Sequence, residues 1–240
     1  MRIKGGAIAW AAVVLVMSPG VARQAMAETS YLKMAPIGQY MMADRNAEIA
    51  LARTAAPPSI SADASILVLG PSGYVAATKG KNGFVCLVER SWMSPFDSAE
   101  FWNTKIRGPI CYNPPAAKTV LIYTYKRTAL VLAGKSKPEM MTAIKAALAK
   151  KELRAPDPGA MSYMMSRQGY LGDGIGPWEP HLMFHPPKVD GATWGANLAG
   201  SPVMQDTDHR VVPEPETIFM VSVDHWSDGT PAPSMGSHNH

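Results

Sequence analysis

His181 and His185 are the residues whose spacing points most directly to chemistry. Four residues apart on a helix, two imidazoles lie one turn apart and can ligate one zinc ion. Prolines border this segment, however, and its letters HLMF are typical of a strand, in which four residues span about 13 Å. The glutamate of an HExxH zinc motif is also absent. We therefore predict neither a metal site nor a cofactor, and keep the two histidines as the candidate ligands should a metal bind.

Tyr163 and His181 are a second pair of interest, because each is a polar residue inside an otherwise apolar segment. Such groups need hydrogen-bond partners if they are buried. A satisfied network within the core is the favoured interpretation. The alternative is a hydrolase-like enzyme in which His181 acts together with Tyr163.

Two acidic clusters add little to these candidates. Residues 206–209, with the letters DTDH, lack the glycine and the distal glutamate of a calcium-binding loop. Asp224, His225 and Asp228 have the types needed to orient an acid/base histidine, but no nucleophile motif accompanies them. The sequence contains no GxSxG motif, no P-loop and no dinucleotide-binding glycine pattern.

Methionine is unusually frequent, with sixteen residues in the chain. Several occur as adjacent pairs, namely Met41-Met42, Met140-Met141 and Met164-Met165. Thioethers bind Cu(I), which makes a copper protein with methionine and histidine ligands one hypothesis. Methionine is also a common filler of irregular cores, and this second interpretation is preferred.

The N-terminus has the three parts of a secretory signal peptide. Arg2 and Lys4 precede an uncharged run of eleven residues, 7–17, and small residues follow at 25 and 27. Eleven helical residues reach only about 16 Å, roughly half of the hydrocarbon core of a bilayer. We predict a signal peptide over residues 1–27, cleavage between Ala27 and Glu28, no membrane span afterwards, and a periplasmic or secreted protein.

Net charge argues against nucleic acid as a partner. The chain has 23 basic and 19 acidic side chains, giving a net charge of +4. Three of the basic residues lie within the predicted signal peptide, so the predicted mature chain has a net charge close to +1. No dense basic stripe interleaved with aromatic residues remains. The ligand or protein partner stays unidentified.

Cys86 and Cys111 are the only two cysteines. In an oxidising compartment an even pair most simply forms a disulfide, which here would close a loop of about 25 residues worth roughly 3 kcal/mol. A nucleophilic Cys86 thiol is the alternative. It requires a thiol that stays reduced outside the cytoplasm, so the disulfide is preferred.

Alternation and turn residues predict a three-stranded antiparallel meander near the N-terminus. The predicted strands are 65–69, 74–79 and 84–92, separated by the turn-forming segments GPSG and GKNG. In the third strand Cys86 shares a face with Phe84 and Val88, while Glu89 points to the other. Segment 94–115 is predicted to be irregular.

Helical periodicity follows on either side of these strands. Residues 39–56, 116–133 and 136–153 are predicted helices, and the last begins with a capping box from Ser136 to Glu139. Three short apolar runs in the last third are predicted strands, at 161–165, 181–184 and 217–223.

These elements predict an α+β fold, with an antiparallel sheet made of the N-terminal meander and the C-terminal strands, and helices packed on it. An apolar content of 47% with 18% charged residues is typical of a globular protein. We divide the chain into the signal peptide, an arm and helix at 28–60, a single domain at 61–227 and a disordered tail at 228–240.

Several short motifs resemble those of a group of uncharacterised exported bacterial proteins. They are NGFxC at 82–86, the second cysteine at 111, SYM at 162–164 and PHLMF at 180–184. The resemblance implies a bacterial exported protein and no particular activity. Because no catalytic motif is evident, the favoured function is non-catalytic binding or a structural role.

Overall fold

An eight-stranded sheet organises the part of the chain that the structure describes. The computed structural model describes residues 31–173, 179–205 and 215–232. The strands are β1 (Ser65–Gly70), β2 (Gly73–Thr78), β3 (Val85–Glu89), β4 (Gly108–Tyr112), β5 (Met161–Met164), β6 (His181–Phe184), β7 (Val203–Gln205) and β8 (Phe219–Ser222). Their order across the sheet is β2-β1-β3-β4-β5-β6-β8-β7. All neighbouring strands are antiparallel except β1 and β3, which are parallel. An α+β fold with a largely antiparallel sheet is therefore confirmed.

The predicted meander is wrong, because β3 pairs with β1 and not with β2. After β2 the chain crosses the start of β1 and then runs parallel to it. The crossing is so close that a Cβ atom on Gly80 would lie 2.3 Å from the backbone nitrogen of Ser65. Two hydrogen bonds hold it, from the Gly80 amide to Ser65 Oγ and from the Lys81 amide to the Asp63 carbonyl, both 2.9 Å. The glycine in GKNG thus permits a crossing between strands in place of a hairpin turn.

The segment predicted to be irregular contains a central strand. β4 pairs with β3 along its whole length, and Cys86 lies directly opposite Cys111. These two residues form the predicted disulfide. The bond therefore joins neighbouring strands inside the sheet and does not tie down a loop. The two prolines and the glycine nearby had obscured this strand in the sequence pattern.

Five α-helices lie among the described residues: α1 (Arg45–Arg53), α2 (Pro58–Ser61), α3 (Pro114–Thr119), α4 (Leu121–Leu132) and α5 (Lys137–Ala149). The Asp44 side chain caps α1 by accepting from the amides of Asn46 and Ala47. The predicted helix at 116–133 is two abutting helices, α3 and α4. The capping box of Ser136 and Glu139 at the start of α5 is confirmed.

The two faces of the sheet differ in their contents. Cys86, Cys111 and Tyr163 mark one face, called here the disulfide face, which α1 covers. Leu87, Ile110 and Tyr112 lie on the other, called the cavity face, which α3 and the start of α4 cover. The predicted alternation in β3 is confirmed, since Cys86 and Leu87 belong to different clusters. α5 packs on α4 and extends the apolar core around Trp92 and Phe101.

The segments predicted to flank the domain contribute contacts of their own. Tyr40 is fully buried, and its hydroxyl donates to the carbonyl of Trp102 at 3.1 Å. At the other end, His225 and Pro231 form an antiparallel bridge around a turn at Asp228. The predicted signal peptide with its Ala27–Glu28 cleavage point, and residues 233–240, lie outside the described residues. Within the described ranges no helix is long and apolar enough to cross a bilayer.

Candidate functional site

The structure separates Tyr163 and His181, the pair proposed above for a hydrolase. Tyr163 is opposite Leu182 in the sheet, whereas His181 is opposite Met164, so the two side chains lie on opposite faces. The Tyr163 ring packs on the disulfide face, with its centroid 6.3 Å from that of Phe84. Strand alternation directs Tyr163 and His181 to opposite faces, so the prediction of a catalytic site made of these two residues is wrong.

His181 and His185 both lie towards the cavity face but have different partners. His181 Nδ1 is 2.8 Å from the carbonyl oxygen of Glu179, and burial lowers the pKa of this imidazole. His185 bonds to two other side chains through its two ring nitrogens. The segment is a strand up to Phe184, which keeps the histidines far apart along it. Among the described residues no three His, Cys, Asp or Glu side chains form a potential metal site.

A buried relay of three side chains is centred on His185. Ser162 Oγ lies 2.9 Å from His185 Nε2, and Glu216 Oε2 lies 3.0 Å from His185 Nδ1. Ser162 has no exposed surface, and the side chains of His185 and Glu216 are 3% and 6% exposed. Strand β5 provides Ser162, the chain immediately after β6 provides His185, and Glu216 bridges to Pro187 just before β8.

This relay fixes the orientation of the imidazole. An ionised carboxylate only accepts hydrogen bonds, so Nδ1 carries the proton that is shared with Glu216. In the neutral imidazole Nε2 then accepts from the Ser162 hydroxyl. A serine oxygen can donate or accept, so the Ser162 hydroxyl bonds to Nε2 in either tautomer of His185.

A second polar cluster lies on the same face around Glu89. The hydroxyls of Tyr112 and Thr124 donate to Glu89 Oε1, at 2.7 and 3.1 Å. Burial beneath α4 is the main cause that raises the pKa of Glu89 above its usual value, and the positive charge of Arg127 opposes it. The pKa of Tyr112 is also held well above its usual range by burial and by the charges of Glu89 and Glu216. The negative charges of both carboxyl groups therefore act on the Tyr112 hydroxyl.

These two clusters line one cavity between the sheet and α4, with a volume of about 270 Å³. Its polar lining includes Glu89, Tyr112, Thr124, His185 and Glu216. Its apolar lining includes Ile110, Val120, Leu171, Met183 and Ile218. The volume is a little below the roughly 300–1,000 Å³ of typical ligand sites, so it suits a molecule smaller than a drug. Ser162 lies under the lining and supports His185 from beneath.

Two arginines also line the cavity, and both donate hydrogen bonds to backbone carbonyls. Arg90 donates to the carbonyls of Tyr40 and Val88 and forms an ion pair of 2.8 Å with Glu48. Arg127 donates to the carbonyl of Ser94 at 2.6 Å, and its guanidinium carbon lies 4.3 Å from the centre of the Phe96 ring. Both cations therefore brace the surrounding backbone.

Sequence reasoning missed Ser162, Glu89 and Glu216 as members of this site. A usable signal exists for Glu89, which falls at an inward position of β3 in phase with Val85 and Leu87. A charged residue in phase with core positions marks a buried polar group. Glu216 has no comparable signal, because it lies outside any strand.

The remaining candidates are divided between the cavity wall and other parts of the described structure. Met140 is buried in the core beside α4, while Met164, Met183 and Met93 line the cavity. His225 Nδ1 is 2.7 Å from the exposed Asp224, whereas Asp228 bonds to Thr230. The acidic cluster at 206–209 lies outside the described residues.

The comparisons with known proteins contribute no name. No family model, no curated protein and no solved structure matches this chain. The cavity and its polar residues are consequently the basis for any functional argument.

Proposed function

We propose that this is an exported, non-catalytic binding protein that holds a small molecule in the cavity between the sheet and α4. The observation that supports the proposal is the convergence of Glu89, Tyr112 and the His185–Glu216 pair on a cavity whose other walls are apolar. A few fixed polar groups in an apolar pocket are the usual composition of a ligand site.

Export is supported by two features. The N-terminal sequence has the composition of a signal peptide. The Cys86–Cys111 disulfide is of the kind that persists in oxidising compartments. Periplasmic or secreted location is accordingly part of the proposal.

Fragment screening tests the binding function. Ligand-observed NMR with a library of anionic, neutral and cationic fragments should give hits that bind the purified protein. Leu171→Trp places a larger side chain at the cavity wall and should weaken those hits at least about tenfold. Leu198→Trp is the matched control, because Leu198 is 62% exposed and does not line the cavity. An absence of hits, or hits that Leu171→Trp leaves unchanged, would contradict the proposal.

Hydrolysis is the second candidate, favoured by the Ser162–His185–Glu216 relay, whose hydrogen bonds follow the order of a serine hydrolase triad. In this candidate the enclosed Ser162 hydroxyl must become accessible. A fluorophosphonate reagent should then label the protein, and Ser162→Ala should abolish the labelling. Labelling absent from the native protein would eliminate hydrolysis and leave the binding function intact.

A further inference from the structure

The arginines and the glutamates around the cavity differ in how many hydrogen bonds and ion pairs they form with the rest of the protein. Arg90 is neutralised by Glu48, and the donors of Arg127 reach the carbonyls of Met93 and Ser94. An anionic ligand that approached Arg90, or Nη1 and Nη2 of Arg127, would have to compete for donors that already hold the backbone or Glu48.

The carboxyl groups present the opposite case. Both hydrogen bonds to Glu89 from described residues end on Oε1, which leaves Oε2 to a ligand in the cavity. Glu216 accepts a hydrogen bond from His185 on Oε2, and its Oε1 accepts none from the described residues. Two carboxylate oxygens with spare acceptor capacity favour a ligand that donates hydrogen bonds and has positive charge.

The walls next to these carboxyls suit the same ligand. Tyr112 contributes an aromatic ring, and aromatic faces attract cations, whereas the Tyr123 ring already has the Arg127 guanidinium carbon 5.5 Å from its centre. Met93, Met164 and Met183 contribute polarisable thioethers. Ile110, Val120 and Ile218 provide an apolar surface for the remainder of the molecule.

We propose that the cavity binds a small organic amine as its ammonium ion, with the ammonium on Glu89, a second negative charge from Glu216, and the apolar body against Ile110, Val120 and Ile218. This inference rests on the proposed binding function and specifies the chemical class of the ligand.

Three probes with the same aromatic body test the class: phenethylamine, 2-phenylethanol and 3-phenylpropionate. Calorimetric or NMR titration of the purified protein should give at least about tenfold tighter binding for the amine than for the alcohol, and none for the carboxylate. Equal or tighter binding of the alcohol or the carboxylate would overturn the amine class.

Charge-specific variants identify the binding group. Glu89→Gln should weaken the amine at least about tenfold while leaving the alcohol unchanged, which a general loss of packing would not do. Glu216→Gln should have a smaller effect in the same direction. Glu152→Gln is the control, since Glu152 is exposed and its ion pair among the described residues is with Lys126. Amine binding that is insensitive to Glu89→Gln would overturn the assignment of the ammonium to Glu89.

A measurement on the unaltered protein guards against a variant that does not fold. Tyr112, Thr124 and Arg127 face Glu89, and His185 and Glu216 complete the charged lining. Protonation of Glu89 removes attraction for a cation, so amine affinity should fall as the pH is lowered while alcohol affinity stays constant. Amine affinity that does not change with pH would contradict the proposal.

Different results would overturn the amine class and the binding function. Neutral or anionic hits that Leu171→Trp weakens would retain the binding function and overturn the amine class. An absence of hits of every charge would overturn the binding function itself.

Discussion

Two glutamates inside this protein illustrate how differently the same side chain can be used. Glu48, on helix α1 above the disulfide face, is 1% exposed and forms an ion pair with the fully enclosed Arg90. Glu89, on the cavity face, receives hydrogen bonds from two hydroxyls and lines a cavity. The first carboxylate is neutralised within a closed core. The second forms no ion pair with the described residues and lies in the cavity wall.

This difference separates a structural charge from a candidate binding group. The Glu48 carboxylate is neutralised by Arg90 at 2.8 Å, and loss of one partner of a buried ion pair damages the fold. Burial raises the pKa of Glu89, although the hydrogen bonds from Tyr112 and Thr124 and the positive charge of Arg127 oppose that shift. Buried groups with shifted pKa values of this kind are concentrated at binding and catalytic sites.

The largest effect is expected from Glu48→Gln. It leaves the Arg90 guanidinium buried without a counter-charge, which should lower the free energy of unfolding by about 3–5 kcal/mol. Urea denaturation measures the change.

Glu152→Gln provides the reference for that comparison. Its partner Lys126 and Glu152 itself are 35% and 49% exposed, so its loss should cost less than about 1 kcal/mol. Similar effects of the two substitutions would show that the Arg90–Glu48 pair does not have the structural role assigned to it.

Removal of the disulfide ranks next. Replacing Cys86 and Cys111 together with alanine opens a loop of 25 residues and should lower the free energy of unfolding by about 3 kcal/mol. Ligand binding in the cavity should be retained in the folded variant, because the bond lies on the other face of the sheet. Unchanged stability would contradict the stabilising role of the disulfide. A variant that folds without binding would contradict the independence of the two faces.

The elements whose signals are local could be predicted from the sequence. Alternation predicted which side chains of β3 share a face, and the Ser136–Glu139 spacing predicted the start of α5. The strand order could not be predicted, because Gly80 permits both a turn and a crossing, and only the packing on β1 selects between them.

The site could be predicted only in fragments. His185 was a candidate because of its spacing from His181, but its actual partners are 23 and 31 residues away in the chain. The register of β5 on β6 brings Ser162 to it, and the chain before β8 brings Glu216. No periodicity in one sequence encodes such a meeting, since it depends on which strands become neighbours.

Two adjacent residues of β5 allow the faces to be compared directly. Ser162→Ala removes a partner of the buried His185 nitrogen and should cost about 1–3 kcal/mol of unfolding free energy. Tyr163→Phe should cost less than about 0.5 kcal/mol, because the Tyr163 hydroxyl makes no hydrogen bond with the described residues. A larger cost for Tyr163→Phe than for Ser162→Ala would contradict the assignment of the polar network to the cavity face.

Glu89→Gln should change stability with the opposite sign to that of Glu48→Gln. Because the pKa of Glu89 is raised in the folded protein, its contribution to stability is fully present below the unfolded pKa and is lost as the pH rises through the folded pKa. Glutamine cannot ionise, yet it keeps an acceptor for Tyr112 and Thr124. Urea denaturation from pH 4 to 8 should therefore show the variant gaining stability relative to the unaltered protein as the pH increases. A variant that is destabilised most at pH 8 would mean that the ionised carboxylate is neutralised in the folded protein, as Glu48 is, and that Glu89 belongs to the structural class.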